Sequence, residues 1–178
     1  IPMSQELNRL FLDIEDRRDS MIYLYELEDL KPKQLDFEFT LNSRVSDISL
    51  YMRDFLNLSS DKQRRFPNKR EFLKYCINQL EARDILVFQS AQISPNEMRG
   101  LSLAYKFLPV IVLNRKDEPS ARLFTLFHEL VHLMTSTSGI CNDMFFNARS
   151  NNKVEMYCNE VAGNALVPKN LLLSNENT

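Results

Sequence analysis

With 178 residues, 44% of them hydrophobic and 26% charged, the chain is long enough for one domain with a substantial core. A formal net charge of −2 and a pI near 5.8 exclude a general electrostatic attraction to nucleic acid or anionic lipid. No apolar run approaches the roughly 20 residues of a bilayer span, so no membrane role is expected.

The opening residues, IPMSQELNRLF, have no basic stretch leading into an apolar one, and a secretory signal is not expected. Residues 5–30 carry apolar side chains at helical spacing (Leu7, Leu10, Phe11, Ile14, Met21, Leu24, Tyr25), which predicts one helix or a broken pair ended by Lys31-Pro32-Lys33. LDFEFTL, residues 35–41, alternates apolar and polar and predicts a short strand. Residues 44–57 return to helical spacing through Val45, Ile48, Met52, Phe55 and Leu56, and NLSSDKQRRFPN reads as a polar loop. Asn68 with Glu71 three residues later forms a capping box opening the helix KREFLKYCINQLEA.

The period then shortens. DILVFQS, GLSLAYKF and PVIVLN are short, rich in β-branched and aromatic residues, and punctuated by Gly100 and Pro109; they predict three strands of a small antiparallel or mixed sheet. Ser120, behind Pro119, is a candidate N-cap for an apolar helix that Gly139 would stop. An Asn-rich loop follows, then a helix from about Lys153 to Leu166 ending at Pro168, and a tail, LLLSNENT, expected to fray. Neither a repeat nor a linker interrupts the chain, so one α+β unit is predicted. Cys76, Cys141 and Cys158 are odd in number and irregularly spaced, which fits reduced thiols in a cytoplasmic setting.

Both histidines of the chain, His128 and His132, fall within FTLFHELVHLM on that apolar helix. Positions four apart lie ~40° apart around a helix and ~6 Å apart along it, so two imidazoles can converge on one cation. Glu129 is turned away from a ligand position but within reach of water at the ion, where it can take a proton. A catalytic zinc needs a third protein ligand and an open position. With no further histidine, that ligand must be Asp, Glu or Cys. Glu155 is favoured because it shares a helix face with Cys158, Asn159, Ala162 and Leu166; Glu160 points the other way. Cys158 and the loop residue Asp143 are the other candidates. Asn159, one turn beyond Glu155, can hydrogen-bond a ligand.

At these residues the chain resembles the ImmA/IrrE family of zinc-dependent endopeptidases. The matching blocks are GLSLAYKF, PVIVLN, FTLFHELVH and EMYCN…ALVP, in family order over about residues 43–168. Val131 stands where the family usually has Gly, Cys158 where it has Ala, and Ala165 where a larger apolar residue is common. The resemblance implies a zincin-like α+β metallopeptidase fold, with a sheet of three or slightly more strands packed on helices and HExxH on a buried helix. It implies Zn2+ held by His128, His132 and Glu155, with Glu129 as general base. It also implies a protein substrate, a helix-turn-helix repressor whose cleavage relieves repression in a stress response, a mobile element or a toxin–antitoxin-like pair. The expected organisation is an N-terminal helical segment and short strand at 1–42 packed on the peptidase domain at 43–170, with 171–178 as frayed tail.

In the expected reaction, Glu129 accepts a proton from water and returns it to the leaving amine, and LSLAYKF or PVIVLN offers an edge for an extended substrate. Tyr105 and Tyr157 are the candidates for stabilising the oxyanion. A non-proteolytic alternative is a binding module on the same scaffold that inhibits or sequesters a regulator. A second is contact with phosphates through KQRRFPNKR, residues 62–70, which the negative net charge and the absence of a set of stacking aromatics disfavour; no direct nucleic-acid partner is expected.

Overall fold

A computed structural model describes residues 4–135 and 152–168. The order of elements is α1 (Gln5–Leu27), α2 (Val45–Phe55), α3 (Ser60–Arg64), α4 (Lys69–Glu81), β1 (Leu86–Ser90), β2 (Gly100–Leu103), β3 (Val110–Asn114), α5 (Pro119–Thr135) and α6 (Asn152–Leu166). Gly139, Cys141, Asp143 and the tail from 171 lie outside the described residues.

The sheet is mixed, in the order β1-β3-β2, with β1 parallel and β2 antiparallel to the central β3. Every residue of β3 is buried, because both its faces are covered. Ile111 and Leu113 point into the main core with the buried residues of α2, α4, α5 and α6. Val110 and Val112 point the other way, into a second core with Leu10 and Ile14 of α1. The alternation of a pleated strand thus places four helices on one face of the sheet and α1 on the other.

Helix starts follow local chemistry. Ser4 accepts the Leu7 N–H at 3.1 Å and Asn68 accepts the Glu71 N–H at 3.0 Å, capping α1 and α4. α5 begins at Pro119 itself rather than after a Ser120 cap: a proline at the first helical position gives up a donor that has no intrahelical partner there. Helix ends reuse one device. Asp29, Asn57 and Asp84 take left-handed φ values of 52°, 48° and 63° just beyond α1, α2 and α4. The next N–H then reaches back five residues, Leu30 to Tyr25, Leu58 to Arg53 and Ile85 to Leu80, at 2.8–3.1 Å. A chain with three glycines gives these positions to short polar residues, which tolerate that conformation best.

Residues 5–27 form one continuous helix, the first of the two forms that the spacing allowed. Two expectations change. Ser60–Arg64, expected in loop, is a short helix capped by Ser59, which accepts the Lys62 N–H at 3.1 Å. Residues 35–41 form no strand; a single bridge, Gln34 to Phe107, is the nearest approach. Leu35, Phe37 and Phe39 do point inward as the alternation requires, but onto α2, where Phe37 meets Phe55 edge-on at 5.6 Å and Phe39 meets Tyr51 at 5.0 Å. Alternation reports an extended backbone laid on an apolar surface, and that surface is a helix here.

Candidate metal centre

α5 is buried nearly all round: Leu123, Thr125, Leu126, Phe127, Glu129, Leu130, Val131, Leu133 and Met134 are enclosed. The two histidines occupy its one half-open stripe, with ring centroids 4.8 Å apart. α6 packs alongside through Cys158, Val161, Ala162 and Ala165, small or branched residues that allow close approach. The positions that depart from the family pattern, Val131, Cys158 and Ala165, are all fully buried in the main core.

This packing brings one carboxylate of α6 to both rings. Glu155 Oε2 lies 3.2 Å from His128 Nε2, Glu155 Oε1 3.4 Å from His132 Nε2, and the two Nε2 atoms 3.0 Å from each other. A tetrahedral ion with ligands at ~2.0–2.1 Å sets its donors ~3.3 Å apart, so the three atoms have the spacing such an ion needs. The protonation pattern agrees. The Asn159 carbonyl oxygen sits 2.9 Å from His128 Nδ1 and can only accept, so Nδ1 carries the hydrogen and Nε2 presents its lone pair. That lone pair faces a carboxylate oxygen. One proton can bridge two of the three converging atoms; a cation among them satisfies all three. Burial, together with His128, lowers the His132 pKa and favours the neutral, ligating form, outweighing the opposite pull of Glu155. The donor set of two imidazoles and one carboxylate therefore fits a divalent metal. The Glu155 side chain, 56% exposed, leaves the centre open on one side.

Glu129 points elsewhere. Its side chain is buried against β2, where Ser102 Oγ donates to Oε2 at 2.8 Å. Burial pushes this carboxyl up to about 7, against the pull of the Ser102 hydroxyl, and the nearby Glu155 charge adds to the rise. Gly100 makes the close approach possible: a Cβ there would sit 2.3 Å from Thr125 Cγ2 and 3.2 Å from Glu129 Oε1. Ser102 had no role in the sequence reading. The block GLSL carried a signal that the segment mattered, but 27 residues separate this serine from Glu129 and only the fold joins them.

Other candidates are placed outside the donor cluster. Cys158 Sγ lies 3.8 Å from His132 Nδ1, behind the ring and opposite the converging Nε2 atoms, and burial pushes its thiol up to about 12. Glu160 lines a hollow between α2 and α6 instead. Tyr157 donates its hydroxyl to the Ser43 carbonyl at 2.8 Å, and the Tyr105 ring packs under the Arg18 guanidinium at 3.8 Å. In the basic segment, Phe66 stacks on Phe72 at 5.1 Å and Lys62 Nζ bonds the Tyr75 hydroxyl at 3.1 Å, contacts that hold the segment to α4. Among the described residues no helix is long and apolar enough to cross a membrane.

A search of curated proteins found no match. A family model described as the IrrE N-terminal-like domain, peptidase M78, matches residues 80–178, more than half of the chain. The matched stretch begins at the end of α4 and runs through the sheet, the histidine helix and α6, the elements that gather the three donors, and the chain belongs to this metallopeptidase family.

Proposed function

We propose that the chain is a zinc-dependent endopeptidase whose substrate is a helix-turn-helix repressor. The observation that carries the reading is the convergence of His128, His132 and Glu155 at 3.0–3.4 Å, one residue from a buried glutamate. These three residues would hold the zinc, and Asn159 would fix the His128 tautomer. Zinc, when bound, supplies a Lewis acid for the scissile carbonyl and lowers the pKa of water toward ~7.

The chain supplies the rest. Glu129 takes the proton of the attacking water and delivers it to the departing amine; enclosure by β2 keeps its carboxylate poorly solvated and basic. β2 offers the substrate an edge, whereas β3, the other strand considered, is paired on both sides. The Asn114 N–H bonds the Arg99 carbonyl at 2.8 Å, which sets the phase of the ladder: Leu101 and Leu103 turn their main-chain groups to β3, and those of Gly100 and Ser102 face outward. An extended peptide added there runs beside Glu129. The repressor is inferred from the family resemblance.

The test is to mix the purified zinc-loaded chain with a helix-turn-helix repressor encoded beside its gene and follow the repressor by mass spectrometry. Two fragments are expected with wild type and none with Glu129→Gln. If Glu129→Gln inactivates the repressor as well as wild type does, the protein acts by binding and not by cleavage.

A further inference from the structure

We propose that Ser102 is the positioning residue of the general base: its hydroxyl, donated across from β2, selects which oxygen of Glu129 is free to take a proton. The proposal rests on the peptidase reading above and adds to it a residue of the neighbouring strand.

The geometry is specific. Glu129 is a buried carboxylate on a helix otherwise packed in hydrocarbon, and a carboxylate in such a place rotates until its lone pairs are met. Among the hydrogen bonds of the described residues, Ser102 Oγ is the donor to it, and it engages Oε2 at 2.8 Å. The second oxygen, Oε1, lies over Gly100, where the missing side chain leaves room that a Cβ 3.2 Å away would close. One oxygen is anchored and the other is kept clear by two residues of the same short strand. Both alternate to the face of β2 turned toward α5, while Leu101 and Leu103 belong to the core on the far side. Gly100 and Ser102 are also the residues whose main-chain groups face the free edge, so a peptide lying on that edge would be registered by the strand that orients the base. A serine that only neutralised a buried charge would need neither the anchored orientation nor the cleared second oxygen.

The experiment compares Ser102→Ala with Ser102→Thr, which keeps the hydroxyl, in the zinc-loaded protein. Metal content and thermal unfolding are recorded first, so that a variant that fails to fold is recognised; Ser102→Cys then replaces Ser102→Ala. Cleavage of a quenched-fluorescence peptide library is followed, together with crystal structures of the variants. Expected for Ser102→Ala are an unchanged zinc stoichiometry, KM within about twofold, kcat reduced roughly 10- to 100-fold, and a Glu129 carboxylate swung from its place; Ser102→Thr restores most of kcat. Retention of wild-type kcat by Ser102→Ala overturns the proposal, as does loss in Ser102→Thr equal to that in Ser102→Ala. If wild type cleaves neither the library nor the repressor, the peptidase reading is what fails. The crystal structures then decide this proposal alone: a Glu129 side chain in the same place without the Ser102 hydroxyl refutes it, and a displaced one supports it.

Discussion

Asn159 sets the chemistry of a neighbouring helix with one oxygen. Its carbonyl can only accept, so it fixes the hydrogen of His128 on Nδ1 and aims the Nε2 lone pair at Glu155 and His132. Partners of this kind contribute substantially to metal affinity although they never touch the ion. Asn159→Ala should therefore weaken zinc binding about 10- to 100-fold with little change in unfolding temperature, measured by competition with a chelating dye. Unchanged affinity would mean that His128 is oriented by its packing alone. At this scale much was legible in the sequence. His128, Glu129 and His132 are readable because a helix converts spacing into direction, and Glu155 with Asn159 because the same rule places them on one face of α6. Ser102 was not readable, since no local rule relates it to a glutamate on another element. The sequence singled out no oxyanion donor for a similar reason: a tyrosine hydroxyl finds whatever acceptor tertiary packing offers, as Tyr157 does at the Ser43 carbonyl.

Between elements, β2 fits tightly against α5. With a Cβ on residue 100 only 2.3 Å from Thr125 Cγ2, Gly100→Ala must push the strand off the helix. The expected cost is about 1–3 kcal/mol in denaturant unfolding, and Thr125→Ser, which removes that methyl group, should recover most of it in the double variant. A Gly100→Ala chain as stable as wild type would show that the sheet shifts freely. A second junction ties α1 to the end of α4: the Tyr25 hydroxyl donates to Asp84, whose other oxygen takes the Lys33 N–H at 2.7 Å. The hydrogen bond to Asp84, burial and the Asp84 charge raise Tyr25 from 10.0 to about 12. The folded chain thus keeps a proton that the unfolded chain loses. The stability this contributes is fully present below pH 10 and disappears as the pH rises through about 12. Wild type should lose its advantage over Tyr25→Phe across that window in unfolding titrations; a constant difference would refute the link. Elements were legible where period and caps agreed, as in α4, β1 and β3. The segment 35–41 misled because an extended chain shows the same alternation on a helix as in a sheet.

Across the whole molecule, β3 divides two cores, and the candidate metal centre sits on helices of the one built by α2, α4, α5 and α6. α6 carries Glu155 and is held at its far end by α2 and α3: Arg53 Nη1 bonds the Ala165 carbonyl at 2.7 Å and Gln63 Nε2 the Leu166 carbonyl at 2.8 Å. The carboxylate therefore reaches the histidines because a helix from early in the chain clamps one from its end. The α+β class was legible from the sequence of periods, but this arrangement was not, since Arg53 and Gln63 look like surface residues until α6 covers them. On the reading proposed above, three side chains from two helices make one metal site. Its most direct measurement is the zinc stoichiometry and affinity of the purified chain beside Glu155→Ala. One tightly held zinc per chain is expected, with affinity falling by at least about 100-fold when the carboxylate is removed. A Glu155→Ala chain that binds zinc as wild type does, or a wild-type chain that binds none, would contradict it.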